Sequence, residues 1–386
     1  MWCGSLLFTV HDHRASPFEF RVEELERRRK RRRFFPEFGA LIDRIRNRDD
    51  KNGMFVMPTF LTHTWGRIGA IIGAGVVFLI VASTGQANPA FWQLEWPETD
   101  FSKHSVPFDE IFSGGVPRDG IPPIYDPNFA SIEKVAKHYE GTEPVIEVSV
   151  DGKARAYPLG ILMTHEIVND ELAGKKIAVT YCPLCNSAVV FDRNVNGNIH
   201  TFGVSGKLRN SDLVMWDHET QSWWQQFTGV GIVGQETDTQ LTMLPVKVVS
   251  FDKFKEAHPQ GEVLLSPRGG AGFNPYQGYD TSSRPFLYRG SFPEDIRPLD
   301  YVVAVEGEAW SLDLLSKEMR VETDELVITW ESGQNAAMDR RNISKGRDIG
   351  NVTVQRKEGD KLVDAVHDVT FAFSFHAFNP DGPIHK

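Results

Sequence analysis

Residues Ile177-Ala-Val-Thr-Tyr-Cys-Pro-Leu-Cys-Asn-Ser-Ala-Val-Val-Phe-Asp-Arg193 read as two strands, rich in β-branched and aromatic side chains, joined by a tight turn that holds Cys182 and Cys185. A second stretch, Leu326-Val-Ile-Thr-Trp-Glu-Ser-Gly-Gln-Asn-Ala-Ala-Met-Asp-Arg340, repeats the surroundings without the cysteines. Aligning Thr180 with Thr329 places Asn186 on Asn335, and a two-residue gap brings Asp192-Arg193 onto Asp339-Arg340. Upstream, the runs Val145–Leu159 and Val302–Leu314 correspond in the same way. The expected fold is therefore β-rich α+β, built from two related halves by internal duplication and forming one compact unit. The first half spans 131–290 and carries the Cys-x-x-Cys pair; the second spans 291–386 and lacks cysteine. A pair of soft ligands confined to one copy points to chemistry confined to one copy.

Working outward, Val145–Val150 and Ala154–Tyr157 flank Asp151-Gly152, a strong hairpin signal. Leu159–Val168 reads as a helix that places His165 and Asn169 on one face. Ala130–Tyr139 spaces its apolar residues as a short amphipathic helix. Strands are expected at Leu213–Trp216, Val246–Ser250, Val302–Val305, Leu326–Trp330 and Val352–Gln355, and the alternation of Phe371, Phe373 and Phe375 predicts another. Residues 88–130 hold Ser113-Gly-Gly-Val-Pro117 and Asp119-Gly-Ile-Pro-Pro-Ile-Tyr-Asp-Pro127 and read as a Pro/Gly-rich lead-in covering a sheet edge.

The N-terminal part differs in kind. Residues 1–67 hold 14 Lys+Arg against 9 Asp+Glu, whereas the remainder carries a net charge of −15, which argues against nucleic acid as the main partner. Segment 1–64, with its run Arg27-Arg-Arg-Lys-Arg-Arg-Arg33, reads as a solvated, disordered block. A start assigned upstream of Met54 or Met57 would account for it equally. The apolar stretch 68–83, with Arg67 before it and small residues up to Ala87, reads as an export signal over 65–87, with a retained anchor as the other reading. This sets the expectation of an exported protein, periplasmic or membrane-anchored on the extracytoplasmic side, touching the membrane only through that segment.

A Cys-x-x-Cys pair serves as a metal knuckle, a redox dithiol or a small disulfide. Strand, knuckle, strand is how zinc ribbons present two sulfurs to one ion, and here a strand rather than a helix follows Cys185. His165 is the preferred third ligand, because Cys3 lies before the export signal and 301–366 contains neither histidine nor cysteine. His200, His218, Met215 and His376 are candidates for a fourth. The expected cofactor is a single copper or zinc ion. His165-Glu-x-x-Asn169 lacks the second histidine of a zinc-protease helix, and no nucleophile elbow, Walker loop or dinucleotide fingerprint is present. Asp212, Asp217 and Glu219 read as solvated charge around a strand, and Trp216, Trp223, Trp224 and Phe227 as core.

Several stretches together carry a resemblance: Asp119-Gly-Ile-Pro-Pro-Ile124, His165-Glu-Ile-Val-Asn-Asp170, Thr180-Tyr-Cys-Pro-Leu-Cys185, Phe202-Gly-Val-Ser-Gly-Lys-Leu208 and Asn210-Ser-Asp-Leu-Val-Met-Trp-Asp217. Over roughly residues 95–380 the chain resembles the prokaryotic family known as domain of unknown function 3179 (DUF3179). The resemblance implies an exported or membrane-associated protein with a duplicated β-rich domain and no established reaction. Asn186 stands where that family usually has glycine, and the tail Phe371–His376 is less rich in tryptophan than usual. The leading expectation is metal binding or delivery through Cys182, Cys185 and His165. The alternatives are a thiol–disulfide oxidoreductase using Cys182 and Cys185, and a non-catalytic binding module. Whether the protein is an enzyme is left open.

Overall fold

The computed structural model describes residues 89–386 apart from 271 and 273. The basic segment and the export signal expected over 1–87 lie outside the described residues. Within the described part, five four- or five-stranded sheets and one two-stranded ribbon form a compact, β-rich, propeller-like arrangement with few helices. No helix among the described residues is long and apolar enough to cross a membrane.

The sheet that positions the cysteines is an antiparallel meander of Ile167–Leu172, Lys175–Cys182 and Ser187–Asp192, edged by Met243–Leu244. Ile177–Cys182 and Ser187–Phe191 are buried on both faces, which explains why they read as continuous apolar runs rather than alternating ones. Cys182 pairs with Ser187 as the last rung, leaving Pro183–Asn186 as the connection. That turn needs a left-handed residue, and Asn186 supplies it at φ +51°.

The first hairpin forms as its turn chemistry dictates. Pro144–Val150 pairs with Lys153–Pro158 around Asp151 and Gly152, both at positive φ as a type I′ turn requires. A short helix Leu159–Leu162 and the cysteine-bearing hairpin follow. The same order recurs downstream: hairpin Tyr301–Val305 and Glu308–Ser311, helix Leu312–Glu318, then Arg320–Glu322 paired with Leu326–Glu331. Past Glu331 the two stretches diverge. Residues 336–340, aligned above with a strand, are irregular, and Leu326–Glu331 pairs instead with Asn351–Glu358.

Two elements depart from expectation. The helix predicted over Leu159–Val168 ends at Leu162, and the chain enters a strand at Ile167. The apolar positions of this stretch suit either structure, and pairing of Ile167 with Thr180 decides for the strand. The strand predicted over Phe371–His376 is instead Asp368–Phe371 followed by a helix, Ala372–Phe378. Ala372, Phe373, Ser374 and Phe375 are all buried, so the alternation of phenylalanines that reads as a strand marks no division between a buried and an exposed face.

The lead-in does cover edges. Ile111–Ser113 adds to Phe202–Arg209, and Phe129–Ser131 adds to Glu262–Leu264. One hydrophobic core runs through both halves, from Ile146, Tyr181 and Phe191 to Tyr301, Ile328 and Phe371. A second cluster packs Trp92 and Trp96 of the lead-in against Trp216 and Trp223. Those tryptophans are core, as expected, and Trp224 belongs to the main one.

Candidate functional site

The knuckle is fixed from the C-terminal half. The carbonyl oxygen of Cys185 accepts hydrogen bonds from Phe371 N–H at 3.0 Å and from Thr370 Oγ1 at 2.8 Å. Asn186 donates from Nδ2 to the Val369 carbonyl at 2.7 Å and accepts from Tyr181 Oη at 3.0 Å. Both cysteines are free thiols and buried. Each sulfur faces the Ser211 carbonyl oxygen, at 3.9 Å from Cys182 and 3.5 Å from Cys185.

Ser211 belongs to a turn with Asn210, both at positive φ, between Phe202–Arg209 and Asp212–Asp217. That turn delivers Asp212, the first residue of its strand, to the sulfurs. One carboxylate oxygen of Asp212 and the sulfurs of Cys182 and Cys185 all lie within 4.8 Å of one another. Asp212 is fully buried; Oδ2 accepts from Gln225 Nε2 at 2.6 Å and Phe227 N–H at 2.9 Å, while Oδ1 has no hydrogen-bond partner. The solvated acidic cluster expected around this strand is therefore corrected. Asp212 and Asp217 are enclosed, because their strand is buried along its whole length.

Glu166 stands beside this group. It closes the turn that follows the short helix, in the left-handed region at φ +56°, its N–H donating to the Leu162 carbonyl and its own carbonyl accepting from Tyr181 N–H. Its carboxyl is buried, and no described group hydrogen-bonds it. Glu166, Leu184 and Leu213 line one cavity of about 360 Å³ with Val204, Tyr276 and Phe286 among its other walls.

The electrostatics follow from enclosing acids together. Burial, with Asp212 adding repulsion, pushes Glu166 up to about 8. Burial raises Asp212 to about 6, opposed by the bonds from Gln225 and Phe227 and by the neighbouring thiols. Burial likewise raises Cys182, with Asp212 and Glu166 contributing, and pushes Cys185 far up. A cation among these groups reverses the direction of each shift, since it favours the ionised form of every donor.

His165 sits elsewhere. Its Nδ1 is 2.7 Å from the Pro122 carbonyl, and it forms no group with the sulfurs at the spacing Asp212 does. The bond to Pro122 fastens the lead-in, and the side chain that groups with the two sulfurs is Asp212. Of the other candidates, Met215 is core, His218 reaches Tyr125 Oη and stacks on Trp216, and His376 bonds Ser291. His200 groups with Asp217 and Glu219 within 4.8 Å. The carboxylates there are already engaged, Asp217 by Thr220 and Trp224 Nε1 and Glu219 by Thr201 N–H. There the buried atom without a hydrogen bond is His200 Nδ1, 3.4 Å from Asp217 Oδ1, whereas in the cysteine group it is a carboxylate oxygen. Asn210-Ser211, a turn-forming pair directly before Asp212, was the one sequence signal that placed this carboxylate at a strand end.

Fold and site together define a β-rich protein built around a buried dithiol–carboxylate centre beside an apolar cavity. Residues 118–382 match the family model described as "Protein of unknown function (DUF3179)", and the chain belongs to that family. No curated protein and no solved structure matches it.

Proposed function

We propose that this is an exported protein that binds one transition metal ion, copper or zinc, through Cys182, Cys185 and Asp212, and that it stores or delivers that ion. The observation that carries the reading is the unpartnered Oδ1 of a buried aspartate whose carboxylate groups with two buried thiols within 4.8 Å. Ligand atoms on a tetrahedral ion with bonds of about 2.0–2.3 Å stand roughly 3.5–3.8 Å apart, so the three donors need close by only about 1 Å. Gln225 and the Phe227 amide orient the carboxylate through Oδ2, the supporting contact that metal ligands ordinarily require. Two thiolates suit copper(I) or zinc, a carboxylate as third ligand favours zinc, and the set leaves a fourth position for an incoming donor. That open position favours transfer over permanent structural binding. The apolar run 68–83 supports export, and the repeated order of hairpin, helix and hairpin supports duplication of an ancestral unit.

The thiol–disulfide alternative has less support. Reactive cysteines are low in pKa, exposed and commonly at a helix N-terminus. Here both lie on a hairpin turn, are buried, and have thiols pushed upward.

Elemental analysis of untagged protein recovered from the extracytoplasmic fraction tests the proposal. The expected result is near-stoichiometric copper or zinc, lost in Cys182→Ser and reduced at least tenfold in affinity in Asp212→Asn. Metal-free wild type that fails to take up either ion on titration under reducing conditions refutes it.

A further inference from the structure

Beside the cysteine group the fold keeps a second chemical opportunity that metal binding does not use. The cavity of about 360 Å³ is walled by Ile121, Val204, Leu208, Leu213, Tyr276 and Phe286, at the small end of ligand-pocket size. Phe286 is 48% exposed, so an aromatic side chain stands where the cavity meets solvent. Its one acidic lining residue is Glu166, 7% exposed and without a hydrogen-bond partner. A buried acid left unpaired on an apolar wall costs free energy that nothing in the fold recovers, which is the mark of a group kept for a ligand.

The sign of that ligand follows from its neighbours. The groups that act electrostatically with Glu166 include Asp212 and Cys182, both acidic. Lys207 also lines the cavity, but its ammonium lies 3.0 Å from the Glu95 carboxylate and is already paired. Two thiolates and Asp212 around a divalent ion sum to −1, in the empty site with protonated thiols the Asp212 carboxylate alone supplies negative charge, and an ammonium beside Glu166 favours the ionised form of that acid. We propose that this cavity binds a small organic amine, its ammonium against the Glu166 carboxylate and its hydrocarbon body among Val204, Leu208, Leu213 and Phe286. A compact cation with an apolar tail satisfies both halves of the cavity, whereas a carboxylic acid of the same size meets repulsion at its inner end. Binding requires Glu166 and the apolar walls and does not require the ion.

Calorimetric titration of the purified chain with n-hexylamine, n-hexanol and n-hexanoate, run on metal-stripped and metal-loaded samples, tests the assignment. The expected result is saturable hexylamine binding in both samples, at least tenfold tighter than hexanol, with no hexanoate binding. Glu166→Gln is expected to reduce hexylamine affinity at least tenfold and to leave hexanol within twofold. Leu208→Trp, which fills the cavity and leaves Glu166 in the sequence, is expected to abolish both, and it serves as the deciding variant if Glu166→Gln does not fold. Equal affinity for hexylamine and hexanol, no saturable binding, or binding that survives Leu208→Trp overturns the proposal. Metal content measured on the same samples reports separately on the ion site, so one idea can fail without the other.

Discussion

Glu166 combines two unfavourable features at one position. It is a residue with a Cβ at φ +56°, and its carboxyl is buried without a partner. The left-handed conformation costs roughly 1–2 kcal/mol for such a residue, and glycine adopts it freely. Glu166→Gly is therefore expected to raise the unfolding free energy by about 1 kcal/mol, after the entropic cost of glycine is subtracted, as read from a urea midpoint. A clear loss of stability would show that the carboxyl is structural and would remove the argument that it is kept for a ligand. At this scale the sequence made the two cysteines visible and the carboxylate beside them invisible. Asp212 is distant in sequence from Cys182 and becomes their neighbour only through the turn at Asn210 and Ser211. Residue type and position before the cysteines favour His165 in the sequence, whereas the bond of its Nδ1 to the Pro122 carbonyl is a tertiary contact that spacing does not encode.

At the scale of the element, the knuckle turn sets glycine against asparagine. Glycine suits φ +51° better at position 186, yet Asn186 spends its side chain on Tyr181 Oη and on the Val369 carbonyl of the other half. Two buried hydrogen bonds of about 1 kcal/mol each outweigh a few tenths gained in backbone freedom. Asn186→Gly is accordingly expected to destabilise the chain by about 1–2 kcal/mol in urea denaturation, and a neutral or stabilising result would mean that the turn conformation alone decides this position. Elements were legible where turn chemistry marked them: Asp151-Gly152 produced its hairpin in the expected register. They were illegible where burial is complete. Over residues 371–376 the phenylalanines alternate with small and polar residues as in a strand, but residues 372–375 are all buried, so the alternation marks no exposed face, and only the Ala372 N–H bond to the Asp300 carbonyl and the helical turns beyond it reveal the helix Ala372–Phe378.

At the scale of the whole molecule the halves are joined by shared core and by a polar seam that titrates. Shared strand and turn signals in the two stretches set the expectation of two related halves, while the single core that runs through both was not readable, since contacts between Tyr181 and the C-terminal strand leave no local pattern. Asp368, at the start of the strand Asp368–Phe371, accepts the Ala188 N–H at 2.9 Å and so ties that strand to the cysteine sheet. Burial pushes its carboxyl up to about 7, only partly opposed by the bonds it accepts. A raised carboxyl binds its proton more tightly in the folded chain than in the unfolded one. Its contribution to stability is thus complete below about pH 4 and is lost as pH rises through about 7. The full shift corresponds to something on the order of 4 kcal/mol. Asp368→Asn keeps an acceptor for the Ala188 amide and removes the titration, so its unfolding free energy is expected to fall less between pH 5 and pH 8 than that of the parent. Parallel pH profiles for the two proteins would place the ionisation elsewhere and leave Asp368 as an ordinary hydrogen-bond acceptor in the seam.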